Sequence, residues 1–181
     1  MNKLLLLLLA VFFTASSYSQ KMYIWCPEEM EPVEQTGRLN GTKVYLNIED
    51  VRLLSKKRKE KCSSEELVES LEQLIAISYP NAEYTQSKEN SEITIQIQIT
   101  AYYSEFHTAA WKGKTEMNVV FTDNRNGEDI NTQFEISKSK ANANFGGMKT
   151  AKNNLRKSYN KAVIELLANL NKLTLRQTIK N

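Results

Sequence analysis

The sequence predicts an α+β fold, a two-layer sandwich in which two helices cover one face of a mixed four-stranded sheet in the order β-α-β-β-β-α. Residues 91–105 alternate isoleucine with polar side chains, which is typical of a long strand with one buried face. Residues 63–78 and 149–172 instead repeat apolar side chains at helical spacing. Because each element has one apolar face, packing both helices on the same side of the sheet buries these faces together.

The chain begins with a segment typical of a secretory signal peptide. Lys3 supplies a positive charge, residues 4–13 are apolar, and Ser17 and Ser19 are the small residues that a signal peptidase requires. The apolar run is about half of the roughly 20 residues that a membrane-spanning helix needs, and no later segment could span a bilayer. We therefore predict residues 1–19 to be a cleaved signal peptide, with Gln20 as the first residue of the mature chain.

The cysteines add to the evidence for export. The sequence has two, Cys26 and Cys62, and an even count in an exported protein favours a disulfide, with two buried thiols as the alternative. Closing a loop of this length would contribute roughly 3–4 kcal/mol in the chain-entropy model. No cysteine stands at the cleavage site to carry a lipid, so we expect a periplasmic or extracellular protein that is not lipid-anchored.

The next elements follow in chain order. Residues 20–41 contain two prolines and four glutamates without an apolar period, which predicts an extended N-terminal arm. Residues 42–51 alternate apolar and polar side chains and form the first predicted strand. Ser63 precedes Glu66 by the capping-box spacing that begins a helix, and Pro80 ends that helix.

Three predicted strands follow the first helix. They are residues 91–105, residues 109–121 and a strand that begins at Ile130, and the polar residues 123–127 form the turn before the last of them. These short connections predict an antiparallel meander, whereas a right-handed crossover through the first helix makes the first strand parallel to a neighbour. We predict a single domain over residues 42–172 and a flexible tail over residues 173–181.

The charge balance argues against a dedicated nucleic-acid binder. The 24 basic residues outnumber the 21 acidic ones by three, and one of the 24 is Lys3 of the leader. A dense basic cluster still follows the first strand, and its members are Lys56, Lys57, Arg58, Lys59 and Lys61. We interpret it as a candidate binding site for an anionic component of the cell envelope, and a solvated loop or helix end is the alternative.

A second candidate surface is the face of the meander opposite the core. On the central strand the period of two places Gln96, Gln98, Thr100 and Tyr102 there. Glutamine is a poor strand former, so its concentration indicates a flat hydrogen-bonding platform for a protein or glycan partner. A simply hydrated outer face is the alternative.

Residues suited to catalysis are scarce. His107 is the single histidine, and two cysteines with one histidine are a poor supply of zinc ligands. The glycine-rich motifs that bind phosphates or dinucleotides do not occur. We therefore expect no catalytic, cofactor or metal site, and a hydrolase that uses two distant carboxylates is the least favoured alternative.

The order and lengths of the elements resemble the YajG-type envelope lipoprotein family of Gram-negative bacteria. The resemblance covers about residues 43–172, from VYLNIEDVR in the first strand, through an Asn-Gly hairpin ahead of FEIS, to the closing AKNNLRKSYNKAVIELL helix. It implies a non-catalytic role in the envelope, although the lipidated cysteine normal in that family is missing here. We expect a secreted binding or assembly accessory protein, with a structural or surface-associated protein without a dedicated ligand as the alternative.

Overall fold

The computed structural model describes residues 22–28, 33–53, 58–107, 109–125, 129–143 and 146–175. Within these residues, seven strands form one mixed sheet that carries two α-helices. The strands are β1 (Met22–Trp25), β2 (Lys43–Asp50), β3 (Arg58–Lys61), β4 (Glu83–Thr85), β5 (Ile93–His107), β6 (Ala110–Asp123) and β7 (Ile130–Ala143), and the helices are α1 (Ser64–Ser78) and α2 (Gly147–Leu175). The predicted α+β class, the mixed sheet and the two helices are confirmed, whereas the prediction of four strands was wrong.

β5 lies at the centre of the sheet because both of its edges are paired. β6 runs antiparallel to it along its whole length, and β7 continues the meander beyond β6. On the other edge, β2 runs parallel to the first half of β5, and β1 runs antiparallel to its second half at Ser104 and Glu105. β4 extends the sheet beside β2, and β3 extends it beside β1. The predicted meander and the predicted parallel first strand are therefore confirmed.

The additional strands are short and come from segments without an apolar period. β1 lies in the stretch predicted as an extended arm, and β3 includes Arg58, Lys59 and Lys61 of the predicted basic connector. All four side chains of β3 are exposed, so its pairing with β1 depends on main-chain hydrogen bonds. Predicted residues that lie outside the described part of the chain are Lys56, Lys57, the signal peptide over residues 1–19 and Gln20.

α1 begins where the capping box predicts. The Ser63 hydroxyl accepts a hydrogen bond from the Glu66 amide at 3.1 Å, and the Glu66 carboxylate accepts one from the Ser63 amide at 2.7 Å. These two bonds satisfy main-chain donors that the first turn of a helix leaves unpaired. The apolar stripe of α1, which includes Leu67 and Leu71, faces the core.

The two helices cover the isoleucine face of the sheet. Ile93, Ile95, Ile97 and Ile99 are fully buried in one cluster with apolar side chains from α1 and α2. Burial of each isoleucine contributes at most about 1.5–3 kcal/mol. α2 approaches β6 very closely at Gly113, where an added Cβ would lie 2.4 Å from main-chain atoms of the helix. α2 ends at Leu175, within the segment predicted as a tail.

A β-bulge in β5 reverses which side chains face the core. The pairing with β6 passes from Ile99 opposite Met117 to Ala101 opposite Glu116, so the strand holds one extra residue, Thr100. Beyond this point Tyr102 is buried in the core, whereas Tyr103 is only partly buried. The prediction that Tyr102 lies on the outer face was wrong, because strict alternation does not continue through a bulge.

Candidate functional site

Cys26 and Cys62 form a disulfide, as the sequence predicts. Their Cα atoms are 4.7 Å apart, within the normal range for such a bond. The bond connects the end of β1 to the residue that precedes the N-cap of α1. It therefore fixes the paired strands β1 and β3 to the helical layer.

The described part of the predicted basic cluster lies on β3, at one edge of the sheet. Arg58, Lys59 and Lys61 are all exposed, and Arg58 Nε lies 2.8 Å from the Glu60 carboxylate. The four residues of β3 thus carry three positive charges and one negative charge, the latter on Glu60. This edge has a positive net charge that water, salt or an anionic partner must balance.

Exposed apolar side chains lie next to this basic edge. Leu53 is 96% exposed and Val51 is 42% exposed, and both follow directly after β2. Between them, Arg52 reaches β3, with its guanidinium 3.8 Å from the Glu60 carboxylate. The segment around Leu53 and β3 are therefore spatial neighbours. We call the combined surface the edge patch, and its members are Val51, Leu53, Arg58, Lys59 and Lys61.

A buried ion pair lies beneath the edge patch. Arg52 binds both carboxylate oxygens of Asp50, at 2.6 and 2.5 Å, and the two side chains are 1% and 4% exposed. Arg52 also donates to the Tyr102 carbonyl at 3.1 Å, and the Ser64 hydroxyl donates to Asp50 at 2.6 Å. The sequence contains no apolar period and no motif that predicts this cluster of Asp50, Arg52 and Ser64.

The electrostatics of this cluster favour a fixed ion pair over acid–base chemistry. Burial acts to raise the pKa of Asp50, but the hydrogen bonds from Arg52 and Ser64 outweigh it and hold that pKa below its usual value. Burial also raises the pKa of the Tyr102 hydroxyl, which donates to the Trp25 carbonyl at 2.7 Å. Since Asp50 stays ionised and well bonded, its role in the cluster is to hold the end of β2 against α1.

Among the described residues, a second cluster consists of side chains of the types that bind metals. Cys26, Cys62 and Glu66 place possible ligand atoms within 4.8 Å of one another. Both sulfur atoms are committed to the disulfide, and the Glu66 carboxylate accepts the Ser63 amide of the capping box. A zinc site uses thiolates, not disulfide sulfurs, so this group does not suit a metal. His107 is exposed at the end of β5.

The predicted polar platform is present on the first half of β5. Gln98 is exposed, and Gln96 and Thr100 are partly exposed on the face opposite the helices. Gln98 donates weakly to Glu49 of β2 at 3.4 Å. The structure thus brings three of the four predicted residues together on the face opposite the two described helices, and it removes Tyr102 from that set.

Comparisons with known proteins show a likeness of fold. No family model and no curated protein matches this sequence. Within the described residues, neither helix is long and apolar enough to cross a membrane.

Three solved structures illustrate the likeness. Protein XCC0632 from Xanthomonas campestris, of family DUF330, is 8% identical with a TM-score of 0.51, over 89% of this chain and 99% of that one. Lipoprotein GNA1162 from Neisseria meningitidis is 11% identical with a TM-score of 0.40, over 71% and 99%. Hypothetical protein CT253 from Chlamydia trachomatis is 8% identical with a TM-score of 0.48, over 75% and 99%. Of these three, only XCC0632 is similar enough to carry an argument, and what it establishes is a shared fold.

Proposed function

We propose that this chain is an exported, non-enzymatic accessory protein of the bacterial envelope, and that the edge patch attaches it to an anionic lipid bilayer. Three observations support export to the envelope. The first residues are typical of a signal peptide, Cys26 and Cys62 are bonded as in proteins of oxidising compartments, and the sequence resembles YajG-type lipoproteins. In this proposal the patch supplies the membrane contact that a lipidated cysteine supplies in the YajG-type family.

The observation that carries the proposal is the exposure of Leu53 beside the basic strand β3. A bilayer offers both an acyl region for an apolar side chain and anionic headgroups for basic ones, whereas a hydrated polysaccharide offers only charge. Inserting Leu53 is worth up to about 1.5–3 kcal/mol. Each basic residue near an anionic surface adds about 1 kcal/mol, and the acidic Glu60 offsets part of that gain.

These contributions predict weak, reversible attachment. Together the described residues supply about 4–5 kcal/mol, which corresponds to a dissociation constant of roughly 0.1–1 mM. Lys56 and Lys57 belong to the same basic run and would add about 1 kcal/mol each. Attachment therefore depends on several small terms, and either Leu53 or the three basic residues of β3 together supply about half of the total.

Co-sedimentation with vesicles tests this function. The full mature chain is mixed with vesicles of phosphatidylglycerol and phosphatidylcholine, or of phosphatidylcholine alone. We expect retention on the anionic vesicles only, and a steep loss as salt rises, because exposed charges are screened within about 8 Å at physiological ionic strength. Leu53→Ser, and separately the triple change Arg58→Gln, Lys59→Gln and Lys61→Gln, should each abolish retention without lowering the melting temperature.

Ile164→Ser is the matched control, since Ile164 is a half-exposed apolar side chain on α2, away from the patch. It should retain normal binding. Retention that survives high salt and both sets of changes, or no retention of the parent chain, would contradict attachment through the edge patch. The second result would favour another candidate, a protein or glycan partner on the face of Gln96, Gln98 and Thr100, which neither of the two described helices covers.

A further inference from the structure

β7 lies at an edge of the sheet, and among the described residues its outward side is unpaired. It pairs with β6 over all of its 14 residues, and no other described strand pairs with it. In an antiparallel ladder, alternate residues direct their amide and carbonyl groups away from the neighbouring strand. β7 therefore presents a row of main-chain donors and acceptors on its outward side, and water or another strand must satisfy them.

The other described edges of the sheet have protection that β7 lacks. β4 has only 3 residues, and the 4 residues of β3 are all charged and exposed. Short length and charge are two of the means by which proteins prevent strand pairing between chains. β7, in contrast, is long, contains no proline and pairs with β6 without a bulge. Its Lys138 forms an ion pair with Glu165 of α2, so part of the charge on this strand is already neutralised.

The charges of β7 are compatible with pairing to a second copy of the same strand. Two copies pair antiparallel around a two-fold axis perpendicular to the sheet, and one residue then lies opposite its own copy. An axis at Ile136 or Ser137 pairs the whole strand except one terminal residue and places no like charges directly opposite each other. An axis moved outward by one residue, to Glu135 or Lys138, places two identical charges opposite each other, which destabilises a sheet.

The axis at Ile136 gives the better side-chain pairs. Ile136 is 1% exposed in the core that faces the helices, and it lies opposite its own copy, so the apolar layer continues across the axis. Phe134, partly buried on the same face, lies opposite Lys138 of the second copy. On the outer face Glu135 lies opposite Ser137, and a serine hydroxyl can donate to a carboxylate. An axis at Ser137 would instead place Ile136 opposite Lys138.

We propose that two copies of this chain form a symmetric dimer by antiparallel pairing of their β7 strands, with the axis at Ile136. The two sheets then become one continuous sheet. Each β7 has one unpaired side, so the pairing uses both of these sides and the assembly closes at two chains. The dimer uses none of the residues of the edge patch, and it is therefore independent of attachment to a bilayer.

Sedimentation equilibrium of the oxidised mature chain tests the dimer. We expect the average mass to rise from one chain to two as the protein concentration is raised. Ser137→Lys should strengthen the dimer by about three- to tenfold, because it places a lysine opposite Glu135 of the second copy at two symmetric positions. Within one chain the new lysine lies opposite Glu116 of β6, which now accepts a hydrogen bond from Ser137, so the fold should tolerate it. Adding Glu135→Lys to this variant makes the same two pairs repulsive, and the dimer should become weaker than that of the parent.

Gln133→Lys is the matched control, because it adds the same charge to the same exposed face of β7 but lies opposite Ser139 of the second copy. It should change the dissociation constant by less than about twofold. A parent chain that stays monomeric at every concentration, or a dimer that all three variants leave unchanged, would overturn the proposal. A weaker dimer in Ser137→Lys alone would contradict an axis at Ile136. Melting temperatures measured alongside show whether each variant is folded.

Discussion

Breaking the buried Asp50–Arg52 pair from one side should destabilise the protein strongly. Arg52→Met leaves the Asp50 carboxylate buried, with the Ser64 hydroxyl as its remaining side-chain partner among the described residues. Asp50→Asn leaves the Arg52 guanidinium without its bidentate partner. Loss of one member of a buried pair typically costs 3–5 kcal/mol, which is about a third of the stability of an ordinary domain. Because the two side chains are 1% and 4% exposed, water cannot replace the missing partner.

The double variant, Asp50→Asn with Arg52→Met, is the decisive comparison. It leaves no uncompensated charge, so its cost should fall short of the sum of the single costs by about 2–3 kcal/mol, as for other residues in direct contact. Urea unfolding of the oxidised protein measures this, since 3 kcal/mol shifts the midpoint by about 1–3 M. Single variants within about 0.5 kcal/mol of the parent, or strictly additive costs, would refute the reasoning and mean that the pair is solvated.

The same pair predicts how stability responds to acid. The pKa of Asp50 in the folded protein lies below its ordinary value of 3.8, because hydrogen bonds from Arg52 and Ser64 outweigh the effect of burial. Its contribution is therefore fully present above pH 3.8 and is lost as pH falls through the lower folded pKa. Asp50→Asn should have a flatter stability profile than the parent in this acidic range, and parallel profiles would contradict the assignment.

Three further changes test the sheet, the helix contact and the disulfide. Ile97→Asp should lower the free energy of unfolding by several kcal/mol because it buries an unpaired carboxylate. Gln98→Ala should change that free energy by no more than about 0.5 kcal/mol. Equal shifts of the melting temperature in the two variants would disprove the assigned faces of β5. Gly113→Ala should lower the melting temperature sharply, since its Cβ would meet helix backbone at 2.4 Å; an unchanged value would mean that α2 shifts freely. Replacing Cys26 and Cys62 by serine should cost roughly 3–4 kcal/mol in urea unfolding, and a cost below 1 kcal/mol would contradict the constraint on the unfolded chain.

The long elements could be predicted because burial imposes a period on the sequence. Isoleucine at every second position marks β5, and Ser63 with Glu66 marks the first turn of α1. β3 has no such sequence pattern, because its four side chains are all exposed. Main-chain hydrogen bonds to β1 keep it in the sheet. Short edge strands of this kind depend on the neighbour they meet and not on their own composition.

The candidate sites were predictable only where composition alone reveals them. Clustered basic residues are visible in any sequence, so Lys59 and Lys61 could be named before the structure was known. The bulge at Thr100 depends on how β5 pairs with β6, and it decides that Tyr102 is buried.

The position of β1 also sets an order of events during synthesis of the chain. A chain that emerges from its N-terminus presents β1 long before its partner in β5, and the bonded residues Trp25 and Tyr102 are 77 positions apart. Such distant pairing is slow, because loop-closure entropy is lost before any contact forms. Cys26 and Cys62 are only 36 positions apart, so early oxidation of these two thiols holds β1 in place before β5 has been synthesised. Late oxidation leaves the edge of β5 open to strands of other chains, and the timing of one covalent bond thereby becomes a control on aggregation.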